Sequence, residues 1–152
     1  MSILKATGND LDSLAELLDL YRVFYQQKSN INGAKEFIKD RLSNEESVIF
    51  IAFDENNPIG FVQLYPSFSS VSLKRTWILN DLYVMESVRG KGFGEKLIKK
   101  AIAFAADTGA KGVLLETNIE NVPAQKLYEK IGFTKEKNYF YFFSIWENTS
   151  TH

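Results

Sequence analysis

Apolar positions recur along the chain with two different periods. Leu11, Leu14, Leu18, Tyr21 and Tyr25 fall on one helical face, which predicts an amphipathic helix over residues 10–27 with Asn9 or Asp10 as its N-cap. After a polar break at 28–33, Ala34, Phe37, Ile38, Arg41 and Leu42 predict a second, shorter helix. The pattern then changes. Residues 47–53 and 59–65 read as strands around a turn at Glu55-Asn56-Asn57-Pro58, and residues 3–6 as a first or edge strand. The serine-rich stretch 66–72 reads as a loop, and residues 73–84 as a long central strand. Phe93, Leu97, Ala101, Phe104 and Ala105 line one face of a third helix closed by Gly109, with Lys96, Lys99 and Lys100 on a solvated face. Residues 112–116 read as a buried-type strand. Asn121-Val122-Pro123 opens a fourth helix, striped by Ala124, Leu127, Tyr128 and Ile131 and closed by Gly132. Phe133 and the aromatic run 139–146 read as the last strands, in a hairpin, and 147–152 as a polar tail.

Helices alternate with strands in the second half of this order, while hairpins link the strands of its middle. It predicts an α/β (mixed α+β) fold: a mixed, mostly antiparallel sheet of about six to seven strands with helices on both faces. Without repeat or linker, 152 residues fit one domain spanning 1–152.

Composition narrows the function. A net charge of −1 supplies no field for nucleic acid or an anionic membrane, so neither is expected as a partner. The absence of cysteine excludes disulfides, thiol catalysis and thiolate metal sites, and no metal is expected. No stretch approaches the ~20 apolar residues of a membrane span, and no basic-then-apolar leader stands at the N-terminus. The expected location is the cytoplasm.

The candidate chemistry lies where the central strand meets the third helix. Gly90, Gly92 and Gly94 stand at alternate positions there, leaving backbone amides bare at a helix N-terminus that carries roughly half a positive charge. Such an end is an anion site, most often for phosphate. A Walker A loop fails on spacing, because Gly90 and Gly94 have three residues between them where that motif needs four, and Glu95 follows where it needs lysine. A dinucleotide fingerprint fails too, since its third glycine would fall at Glu95.

What remains, Arg89-Gly90-Lys91-Gly92-Phe93-Gly94 after a strand ending Leu82-Tyr83-Val84, resembles the acetyl-CoA loop of the GNAT family of N-acetyltransferases. Asn121-x-x-Ala124-x-x-Leu127-Tyr128-x-x-x-Gly132-Phe133 resembles the family's second motif, one helix and one strand further on. The resemblance covers about residues 47–146. It implies a sheet splayed at the coenzyme site and acetyl-CoA as co-substrate. Leu82, Tyr83 and Val84 would lie along the pantetheine arm, with the backbone of Leu82 and Val84 pairing to it. The amides from Arg89 to Gly94, including those of Lys91 and Phe93, would hold the pyrophosphate, with the Arg89 and Lys91 side chains adding charge although the family often uses mainly their backbone, and Asn121 would contact the pantetheine or acetyl end. Val84 N–H is the implied oxyanion donor, and Tyr128 the implied acid for the leaving thiolate.

The base is more open. The glutamate used by histone-type lysine acetyltransferases corresponds to Ile78 here. The run Asn80-Asp81-Leu82-Tyr83-Val84 resembles the acidic signature of polyamine acetyltransferases and their histone-tail-acetylating relatives, with Asn80 in place of the first acid. Asp81 is therefore the candidate to face a cationic acceptor, either holding its ammonium group or relaying its proton; a strand-bulge role is the alternative. Glu116 is a second candidate base, and His152 at the terminus is not one. The implied function is acetyl transfer to a primary amine in a ternary complex, the acceptor being a small cationic amine such as a polyamine or diamino acid. A protein lysine or N-terminal amine, and a non-catalytic acyl-CoA-binding module, are the alternatives. The aromatic-rich last strands suit a homodimer.

Overall fold

The structure is a computed structural model that describes residues 1–146. The polar tail and His152 lie outside the described residues. The chain falls into two compact units, Met1–Glu120 and a second beginning at Asn121.

The first unit is built on five strands in the order β1-β2-β3-β4-β5: Ser2–Lys5, Val48–Asp54, Asn57–Ser69, Lys74–Val84 and Val113–Leu114. The first four are antiparallel neighbours, and β5 runs parallel to β4. β2 and β3 join through Glu55 and Asn56, both at positive φ (51° and 70°), a tight turn whose twist suits the flanking strands. Three helices accompany the sheet in this unit: α1 (Leu11–Phe24), α2 (Ile31–Ser43) and α3 (Phe93–Asp107).

Alternation along the strands sorts two cores. Ile49, Ile51 and Phe61 pack with Leu14, Leu17 and Leu18 of α1 and Ala34 and Ile38 of α2. On the other face the Phe104 ring of α3 meets Phe50 and Trp77 edge-on, at 5.6 and 5.2 Å between centroids. Trp77 Nε1 donates to Thr108 Oγ1 at 2.9 Å, which satisfies the indole where it is buried. The α1–α2 connection is fixed by the buried Asp19. Its carboxylate accepts from Ser29 Oγ and from the amide of Asn30, both at 2.6 Å.

In the second unit, α4 (Val122–Ile131) starts at Asn121, whose Oδ1 accepts from Ala124 N at 3.2 Å. It ends at Gly132 with φ 124°, and Phe133 N donates back to Tyr128 O at 2.9 Å.

The expected class and helix placement hold, with three corrections. The sheet has five strands among the described residues, not six or seven, because residues 133–146 carry no strand and β5 covers only two positions. Apolar content alone makes no strand; a ladder partner does. Residues 66–69 are strand rather than loop. Past Leu64, β3 has only β4 as a neighbour, so the missing N–H of Pro66 breaks no ladder on the open side. The first helix stops at Phe24 rather than residue 27, where Gln26 turns to φ 65°.

Candidate active site

The site grows from one irregularity in β4. The register pairs Gln63 with Asp81 but Leu64 with Leu79, so Asn80 is an extra residue, a β-bulge. One extra residue reverses both alternations of a strand. Before the bulge, the amide of Trp77 points to β5, donating to Gly112 O at 3.1 Å. Beyond it, the amide of Met85 points to β3, donating to Ile59 O at 2.8 Å. The amides of Val84 and Leu82 therefore point away from β3. The ladder with β5 has ended by then, at Ile78 and Leu114. The bulge thus turns two backbone donors into a sheet edge that no strand of this unit covers.

Side chains switch faces in the same way. Trp77 meets α3, whereas Tyr83 lies on the α1 side, its ring 5.9 Å from that of Tyr21. Asp81 shares that side with Gln63. It is buried at 9% exposure, and Oδ2 accepts from Gln63 Nε2 at 2.7 Å and from Asn80 Nδ2 at 3.1 Å. Its bulge position was weighed from sequence; its partners are side chains, not backbone. Nearby on β3, burial and then the charge of Asp81 push the Tyr65 hydroxyl up to about 12.

After β4 a short 3-10 turn, Glu86–Val88, leads into the glycine stretch. Gly90 and Gly92 sit at φ 85° and 84°, in the left-handed region that glycine reaches without strain, and both face open space. Gly92 caps α3 with no side chain, and its carbonyl accepts from Lys96 N at 3.1 Å. The amides of Gly90, Lys91, Gly92, Phe93 and Gly94 donate to no acceptor among the described residues. Phe93 buries its ring and anchors the helix start. This open row of donors, glycine at every second position, fits a diphosphate. Val84 holds the row against the sheet: its Cγ2 lies within van der Waals reach of a Cβ built at Gly94 (3.9 Å) and closer still to one built at Gly60 (3.3 Å). Gly60 was not singled out from sequence; nothing in the local pattern shows that Tyr83 O lies 2.6 Å from where its Cβ would be.

Two cations behave differently from a simple phosphate clamp. Arg89 turns back to the strand, its Nε donating to Val84 O at 2.9 Å and its guanidinium stacked over Phe24 (5.0 Å) and Tyr83 (5.7 Å). Lys99 pairs with Glu95 of the first turn at 2.9 Å, so of the three helix lysines this one neutralises a carboxylate beside the cradle. A cleft of about 510 Å³ lies nearby, but Glu16, Asp54 and Glu55 among its walls make it unsuited to a diphosphate. Among the described residues no cluster of three or more carboxylates or imidazoles suits a metal ion, and no helix is long and apolar enough to cross a membrane.

Tyr128 and Asn121 belong to the second unit. Tyr128 stacks edge-on with Phe133 at 5.8 Å, and the Oδ1 of Asn121 is engaged as a helix cap. Glu116 lies past the end of β5, in no regular element.

The sequence profile of the acetyltransferase (GNAT) family matches residues 14–133. The chain belongs to the GNAT family of acetyltransferases. It is 44% identical over 142 residues to the uncharacterized N-acetyltransferase YhfO of Bacillus subtilis, covering 93% of this chain and 95% of that one. A crystal structure of a probable acetyltransferase superposes with a TM-score of 0.90 at 43% identity, covering 95% of this chain and 99% of the other. An aminoglycoside N-acetyltransferase solved in complex with CoA shares the fold, with a TM-score of 0.79 at 18% identity over 94% of this chain and 93% of that one. As a GNAT acetyltransferase, the chain is an acyltransferase, and enzymes of this family draw their acyl group from acetyl-CoA.

Proposed function

We propose that the protein, acting as one domain over its whole length, transfers an acetyl group from acetyl-CoA to the primary amine of a small cationic acceptor, such as a polyamine or diamino acid. The observation that carries this reading is the bulge at Asn80. It aims the Leu82 and Val84 amides at a sheet edge that no strand of the first unit covers and puts the Asp81 carboxylate on the same side as Gln63, buried among side chains.

The coenzyme supplies a thioester, whose carbonyl carbon is open to attack and whose thiolate leaves readily. The residues do the rest. Open amides from Gly90 to Gly94 hold the diphosphate, and those of Leu82 and Val84 line the arm, with Tyr83 beside it. Asp81 attracts the acceptor's ammonium group and takes one proton from it, directly or through water. The freed nitrogen attacks the carbonyl carbon and forms the C–N bond, and Val84 N–H holds the tetrahedral oxyanion; as this collapses the C–S bond breaks, and the nitrogen gives up its second proton through water to solvent. Tyr128 gives a proton to the leaving sulfur and takes one back from solvent; its support is the motif from Asn121 to Phe133 and the proton that a thiolate needs. Asn121, in this reading, meets the arm through the part of its amide not used as a cap. The enzyme is expected in the cytoplasm, as a homodimer joined through the aromatic run 139–146.

Thiol release from acetyl-CoA, measured across a panel of polyamines, diamino acids, neutral amines and lysine peptides, tests the reading. Fastest turnover on the small cationic amines supports it. Turnover confined to neutral amines or to peptides overturns the acceptor assignment.

A further inference from the structure

Gln63 is the least expected residue in the core. It sits in the middle of β3 with no exposed surface, between Val62 and Leu64 and across from Ile49, all buried and apolar. Its Nε2 donates to Asp81, but its Oε1 is buried with no donor among the described residues. A leucine or methionine would fill this place without leaving an acceptor unpaired. The amide has a use only through Asp81.

We propose that Gln63 is a positioning residue that makes Asp81 the proton acceptor of the amine site. The inference rests on the reading of Asp81 given above. Both hydrogen bonds to the carboxylate fall on Oδ2, which fixes the group and leaves Oδ1 for the acceptor. An amide also suits both protonation states. While Asp81 is ionised, Nε2 donates to it. Once the acceptor's ammonium nitrogen has given its proton to Oδ1, Nε2 goes on donating to Oδ2, then the carbonyl oxygen of the neutral acid. No electron moves in this step; one N–H bond breaks and one O–H bond forms.

The other groups near Asp81 do not take this part. Tyr65 on β3 stays neutral until strongly alkaline pH. Arg41 of α2, whose charge reaches Tyr65, is paired with Glu46 at 3.0 Å. Tyr83 of β4 and Tyr21 of α1 stack on one another.

The test is the pH dependence of kcat and of the acceptor KM at saturating acetyl-CoA, for wild type, Gln63→Leu, Gln63→Glu and Asp81→Asn, with the acetyl-CoA affinity of each as the check on folding. Gln63→Leu is expected to move the acid limb of kcat up by about one pH unit and to lower kcat about tenfold, with the acetyl-CoA affinity kept. Gln63→Glu, which keeps the shape, sets two carboxylates against each other and moves the limb further in the same direction; it carries the test alone should the leucine variant lose its coenzyme affinity. A wild-type limb in the Gln63 variants, with Asp81→Asn inactive, overturns the role of Gln63 and leaves Asp81 standing. An Asp81→Asn enzyme with wild-type kcat and pH profile overturns the reading of Asp81 and this inference with it.

Discussion

Arg89 Nε donates to the carbonyl of Val84 at 2.9 Å, tying the start of the glycine stretch to the end of the strand that precedes it. The guanidinium lies over the rings of Phe24 and Tyr83, at 5.0 and 5.7 Å from their centroids, so it acts as a brace and not as a free charge over the cradle. Arg89→Ala is expected to weaken acetyl-CoA binding about tenfold through a looser loop. Arg89→Lys is expected to recover little of it, because an ammonium keeps the charge but neither stacks nor forks in the same way. Calorimetric titration separates the two accounts: full recovery by lysine would mean that charge alone matters.

Lys99 answers a repulsion that Glu95 would otherwise present to a diphosphate one turn away. Lys99→Ala should raise the KM for acetyl-CoA by up to about fivefold, the reach of an exposed ion pair, and the effect should fade at high salt. An unchanged KM at low salt would contradict it.

Gly60 lets β3 approach the end of β4. A methyl group there would lie 2.6 Å from Tyr83 O, which is backbone and cannot swing aside. Gly60→Ala should cost roughly 1–3 kcal/mol in thermal or denaturant unfolding, and should weaken acetyl-CoA binding because Val84 is displaced. Wild-type stability would show that the strands part freely.

Asp19 gives a pH dependence with a definite sign. The Ser29 hydroxyl, then the Asn30 amide, then the Arg22 charge hold its carboxyl below the ordinary value of 3.8, against the opposing effect of burial. A carboxyl depressed in the folded state stabilises above its unfolded pKa, and that stability is lost as pH falls through the folded pKa. Asp19→Asn should therefore unfold with a flatter pH dependence below about pH 4, and should lose on the order of 1–3 kcal/mol at neutral pH. Acid unfolding identical to wild type would contradict the assignment.

Much of this was legible in the chain. The helical spacing of Leu11 to Tyr21, the turn at Glu55 and Asn56, and the three alternating glycines each carry a local physical cause, and each stands where expected. The bulge was weighed only as an alternative at Asp81, because Asn80 and Asp81 are both polar and a one-residue slip between polar positions leaves the apolar pattern intact. It is nevertheless what decides where Asp81 and the Leu82 and Val84 amides point. Gln63 was not singled out, because one polar residue inside an apolar strand gives no local sign of its partner across the sheet. Gly60 gave no signal because its reason is a cross-strand approach, and the serines at 67 and 69 obscured a strand that holds through its pairing with β4, where Arg75 also stacks on Phe68 at 5.0 Å.

The bare amides of the glycine cradle are the centre of the account, and Gly92 is its most sensitive point: its φ of 84° disfavours any side chain, and the space before it is open. The direct measurement is the equilibrium dissociation constant of acetyl-CoA for wild type and for Gly92→Ala. Saturable binding to wild type, at least about tenfold weaker in the variant while both melt as folded proteins, is the expected result. No binding to the wild-type protein, or equal affinity in the two, would contradict it.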